Sequence, residues 1–169
     1  MDSESARMSS AAEARFRIDY PNSQPRVIKV VALDAMSEPV VKRVAQQTWQ
    51  RANFFTSLKH DGTAAGESWS MKAWLNDLAG RAKALVDEVA SADLVVMVSS
   101  AGTGAEAASV IGEACAARKV MTMALIIGSE QKSDEELSKT LAALRPYASM
   151  LVIASGDEYI EEMLAALRA

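Results

Sequence analysis

The chain of 169 residues has a single cysteine and a single histidine. Cys115 alone excludes an intramolecular disulfide framework, and with His60 as the sole imidazole a His/Cys metal cage has too few ligands. Aromatic residues are scarce, three each of Trp, Tyr and Phe. The core must therefore come from aliphatic side chains and closely packed alanine. Positive charge is also short: 18 Lys and Arg against 22 Asp and Glu leave a net charge of −4. That balance argues against a nucleic-acid surface, which needs a basic stripe. The longest apolar run, Val120 to Ile127, contains Thr122 and is far too short to span a bilayer. Met1 to Ser10 is polar and meets two acids before its first basic residue, the reverse of a secretory leader.

Against these absences stands a hydrophobic fraction of 50%, enough to bury a sizeable core. The sequence predicts a single cytoplasmic globular domain over residues 27–169. A flexible leader, residues 1–26, precedes it and ends in Pro21-Asn22-Ser23-Gln24-Pro25.

From residue 27 the pattern alternates between short β-rich runs and helical periodicity. Val27 to Leu33, Asp93 to Ser99, Val120 to Ile127 and Ser149 to Ala154 read as buried strands, and Asn53 to Leu58 as a short aromatic one. Ser37 to Gln50 reads as a helix with Ser37 as N-cap and Pro39 in the first turn. Ser70 to Ala90 reads as another, because Met71, Trp74, Leu75, Leu78, Ala82, Leu85, Val86 and Val89 follow helical spacing. A small-residue helix extends to Arg118. A fourth runs from Ser133 to Arg145 behind a Ser133/Glu136 capping box, and an amphipathic helix with Ile160 and Leu164 closes the chain. Strands separated by helices imply parallel pairing. The expected fold is α/β: a Rossmann-like doubly wound parallel sheet of about five strands with helices on both faces.

In such a sheet, ligands sit beyond the carboxyl ends of the strands. Among those loops, Gly102-Thr103-Gly104 alone has phosphate-binding character. Its glycines admit an anion to the backbone, and the helix behind it offers free amides. The segment also fits the relaxed pattern G-x-G-x-x-A through Gly102, Gly104 and Ala107, with Glu130 as a candidate ribose partner. The bland alternative is close packing of helix against sheet. Glu106 opposes anion binding, since its carboxylate can fold back over the same amides. His60 beside Asp61 has no accompanying nucleophile, and Cys115 falls on a small apolar helix face. No Walker motif and no convergent catalytic set are present.

The order of segments resembles the N-terminal nucleotide-binding half of the FtsZ/tubulin superfamily. The carriers are VIKVVALDAMSEPVVKRV (residues 27–44), ADLVVMVSSAGTGAEAASVIGEACAARKVMTMALIIG (92–128) and LRPYASMLVIA (144–154). The resemblance implies an opening strand and loop, a signature loop at Gly102–Gly104, and GTP or GDP as the ligand. The departures fall on the family's ligand contacts. Asp34 to Pro39 stands in place of a glycine-rich loop, Ala101 and Glu106 replace glycines, and Leu58 and Ser155 stand near two asparagine positions. Family members continue into a long helix, an acidic catalytic loop and a second domain, whereas this sequence stops at Ala169.

The resulting expectation is a degenerate FtsZ/tubulin-like domain without efficient GTP hydrolysis. It would act as an accessory or interaction protein on a protein partner, itself or a relative, rather than on nucleic acid or membrane. Two alternatives remain. One is residual nucleotide binding through Gly102, Thr103 and Gly104; the other is an NAD(P)- or flavin-dependent oxidoreductase using the same loop. A cleft filled by Met36 and Glu106 would favour the interaction module, and an open cavity of roughly 300 Å³ or more a small ligand.

Overall fold

A computed structural model describes residues 25–57, 74–102, 106–154, 158–167 and 169. Five of its strands arise where apolar runs demanded them: β1 (Ile28–Ala32), β2 (Ala52–Ser57), β5 (Leu94–Ser100), β6 (Met121–Ile127) and β7 (Met150–Ile153). All five pair in parallel, in the order β2-β1-β5-β6-β7. Every residue of β1 and β5 is buried, as central strands covered on both faces require.

The sheet is nevertheless larger than five strands and not purely parallel. Among the described residues it has seven strands, because β3 (Trp74–Asp77) and β4 (Ala82–Ala84) add an antiparallel hairpin beyond β2. The hairpin occupies sequence expected to be the middle of the long helix 70–90. The physical reason lies at Asp77, whose carboxylate accepts from the amides of Ala79 and Arg81 and from Arg81 Nε. Gly80 supplies the left-handed φ of +78° that closes the turn. Only the last part of the expected helix forms, as α2 (Leu85–Ala90), with Leu85 and Val89 buried. Leu78, expected on the buried face, is exposed.

The first helix is also shorter than expected: α1 spans Glu38–Val44. Its exposed carbonyl end is closed by Trp49, whose indole N–H donates to the Val44 carbonyl at 2.9 Å. The remaining helices follow the sequence reading: α3 (Glu106–Arg118), α4 (Asp134–Leu144) and α5 (Glu158–Ala166). The Ser133/Glu136 capping box on α4 is present in both directions.

Side-chain alternation along the strands separates two cores. On one face Val31, Phe55, Met97 and Ile126 lie under α2, α3 and α4, with Ile111 and Cys115 of α3 fully or almost fully buried. On the other, Val30, Val96 and Leu125 lie under Val41 and Val44 of α1 and Ile160 and Leu164 of α5. The connection from β1 to β2 thus runs on one face and those from β5 to β6 and β6 to β7 on the other. With right-handed crossovers, that reversal makes the gap between β1 and β5 the topological switch point.

Lys29 is the exception in an apolar strand, only 7% exposed. Its ammonium donates to Asn53 Oδ1 and pairs with Glu88 of α2, both at 2.8 Å, so one buried cation ties β1 to β2 and to the helix above.

Candidate functional site

The carboxyl ends of β1 and β5 meet at the switch point, and their first loop residues decide what can enter. Asp34 follows β1. Its Oδ1 accepts from the amides of Met36 and Ser37 and from Ser100 Oγ, at 3.0, 2.8 and 2.9 Å. Its Oδ2 accepts from the Ser100 amide at 2.8 Å and from Ser99 Oγ at 3.2 Å. One side chain thereby bridges the crevice from the first loop to the end of β5. It satisfies the backbone donors that a phosphate would otherwise use.

This arrangement revises the expected cap. Ser37 makes no side-chain cap bond to α1; its hydroxyl donates instead to the Asp34 carbonyl at 3.0 Å. Asp34, three residues earlier, takes the orphan amides at the start of the turn. Aspartate there is negative, short and able to reach amides two and three residues on, which is why the chain closes locally without glycine.

Gly102 adopts φ +85°, the left-handed conformation its residue type permits. Its amide donates to Thr140 Oγ1 on α4 at 2.9 Å, and the Thr140 hydroxyl donates in turn to the Glu136 carbonyl. A Cβ at Gly102 would lie 3.3 Å from Glu136 Oε1. Of the candidate phosphate loop, then, the first amide is already engaged by a helix. Thr103 and Gly104 lie outside the described residues, as do the Glu106 side chain, His60, Asp61, Leu58 and Ser155. Glu130, the candidate ribose partner, is exposed on a 3-10 turn over Ser129–Gln131.

Met36 does not fill the crevice; it is 69% exposed. The group that does is Asp34. Beside it, over the ends of β1, β2 and β3, lies a separate cavity of about 390 Å³. Asp34, Glu38, Thr56, Ser57 and Asn76 supply its polar wall, and among the described residues no Lys or Arg lines it. Such polar groups suit a hydroxyl-bearing ligand.

Cys115 is buried within α3, and desolvation pushes its thiol up to about 12. It is a packing residue, as its place on a small apolar face implied. Among the described residues, no group of three His, Cys, Asp or Glu side chains could hold a metal ion. No helix among them is long and apolar enough to cross a membrane.

These features define the class: a doubly wound α/β sheet extended by an antiparallel hairpin, the general architecture on which nucleotide-binding domains are built. Among solved structures, translation elongation factor SelB from Methanococcus maripaludis, in complex with the GTP analogue GppNHp, is similar with a TM-score of 0.50 and 11% identity. The match covers 85% of this chain and 34% of that one. The apo form of the same factor gives a TM-score of 0.49 at 12% identity, over 83% and 33%. The chain therefore spans about a third of the SelB chains it matches. At this identity the likeness shows the fold alone, and it gives no support to the FtsZ/tubulin superfamily in particular. No protein-family model and no curated protein matches the sequence.

The Asp34 network was missed because its parts are 65 and 66 residues apart in the chain. The available signal is the acid directly after β1 opposite two serines ending β5; in the sequence Asp34 stands only as a side chain in place of a glycine-rich loop.

Proposed function

We propose that this chain is an α/β interaction module of nucleotide-binding architecture that does not hydrolyse GTP. In this reading it is a degenerate relative of FtsZ and tubulin acting in the cytoplasm on a protein partner. The observation that carries the loss of nucleotide chemistry is the Asp34 carboxylate, which takes the Met36, Ser37 and Ser100 amides at the switch point. A γ-phosphate there would have to displace a bound carboxylate and then face its charge. Kinship with FtsZ and tubulin rests on segment order alone.

Equilibrium titration with fluorescent GTP and GDP in the presence of magnesium tests the proposal. The expected outcome is no saturable binding below about millimolar nucleotide. Micromolar affinity, or steady phosphate release from GTP, overturns it.

The 390 Å³ cavity favours a second reading, a small-ligand binder. Its polar wall suits a hydroxyl-rich group, such as the ribose of a nucleotide. A thermal-shift screen with NAD, NADP, FAD, FMN and GTP separates the two, because a ligand bound only by the folded state raises the melting temperature. A shift with any of them supports this second reading over the first.

A further inference from the structure

At the opposite end of the sheet from Asp34, α5 leaves part of its own face uncovered. The result is a groove of about 580 Å³ along the amino ends of β5, β6 and β7, with a methionine-rich floor and with Arg26, Arg51 and Asp93 also in its lining. Its floor includes Met121, Met123 and Met150, which strand register places on the same face as Leu94 and Leu125. Its wall is the stripe Tyr159, Met163, Leu167, spaced four residues apart along and just beyond α5. Met121 is 56% exposed and Met150 54%, so two large apolar side chains face water within one concavity. Methionine is the side chain best able to adapt to an inserted partner.

Pro25 lines this groove, so the chain that precedes it starts at the groove's mouth. Residues 15–20 read Arg-Phe-Arg-Ile-Asp-Tyr. Phe16, Ile18 and Tyr20 alternate with charged residues, and in an extended segment all three project to one side. Tyr20 precedes Pro21 and Gln24 precedes Pro25, which biases both away from helical backbone. Tyr20 and Pro25 are five residue steps apart, a reach of about 17 Å. The distance from β1 to β7 is three strand spacings, about 14 Å.

We propose that the groove is the docking site for this chain's own residues 15–20, which lay Phe16, Ile18 and Tyr20 against Met121, Met150 and Tyr159. The tether makes the contact intramolecular, at an effective concentration of order millimolar. The proposal is independent of the nucleotide question, because groove and switch point lie at opposite ends of the strands.

Methionine oxidation in the full-length protein tests it. Dilute peroxide is applied, and sulfoxide at each methionine is followed by peptide mass spectrometry. The double variant Phe16→Asp/Ile18→Asp is compared with the unsubstituted protein, and buried Met97 serves as the internal check that the fold is retained. Met121 and Met150 should oxidise about tenfold faster in the variant than in the unsubstituted protein, with Met97 unchanged. Equal rates at Met121 and Met150 overturn the proposal. So does protection that grows with protein concentration across about a hundredfold range, which would identify a second copy as the occupant.

Discussion

Asp34 shows how one residue can decide what a fold is able to do. Its carboxylate accepts from three backbone amides and two serine hydroxyls. Removing it takes the carboxylate acceptor from the Met36, Ser37 and Ser100 amides, and buried or half-buried donors that lose an acceptor are costly. Asp34→Ala should lower stability by about 2–4 kcal/mol, measured by urea denaturation, with both the cap and the bridge lost. A loss below about 0.5 kcal/mol would mean that water substitutes for the carboxylate and that the crevice is open to anions. From sequence, Asp34 is legible only as a side chain standing in place of a glycine-rich loop. That it replaces the phosphate as acceptor depends on Ser99 and Ser100, which only the sheet brings beside it.

At the scale of elements, local signals succeeded where their chemistry is complete within a few residues. The Ser133/Glu136 box is an example: the Ser133 side chain accepts from the Glu136 amide, while the Ser133 amide and hydroxyl both donate to the Glu136 carboxylate. Ser133→Ala should cost about 1 kcal/mol, read as a shift in the denaturation midpoint at constant slope. The segment 74–90 shows the converse. Trp74, Leu75 and Leu78 fit helical spacing, yet Leu75 is buried from a strand while Leu78 is exposed beside the turn. Short apolar clusters satisfy two periods at once, and the choice fell to the unpaired edge of β2 and to the Asp77–Gly80 turn. α1 likewise stops at Val44 because the Trp49 indole closes it, an interaction that helical periodicity does not report.

At the scale of the whole molecule, stability should form a plateau in pH. Hydrogen bonds from the Arg81 and Ser133 amides are the leading causes that hold the Asp77 and Glu136 carboxyls below their ordinary values, with Arg81 and Lys132 assisting. A depressed carboxyl stabilises the fold above its unfolded value and loses that contribution as pH falls through its folded value. Stability should therefore be constant above about pH 4.5 and decline below. Cys115 acts at the other end. Its thiol is raised by burial to about 12, so the unfolded chain ionises first as pH rises past the ordinary value of 9.0. The fold should weaken from there upward, and Cys115→Ala should flatten that alkaline arm. Urea titrations across the pH range measure both limbs, and a plateau extending unchanged through pH 11 would contradict the burial of the thiol.

The single cysteine, the lone histidine and the acidic balance determined by themselves that neither a disulfide framework nor a His/Cys metal cage is available to this chain. The apolar runs determined five parallel strands, and the helical periods determined most of the helices between them, because burial on two faces leaves a continuous hydrophobic signature. Tertiary structure alone decided the hairpin that extends the sheet, the Asp34 bridge and the groove beneath α5. Each depends on which strands become neighbours, and pairing between residues dozens of positions apart leaves no local period in the sequence.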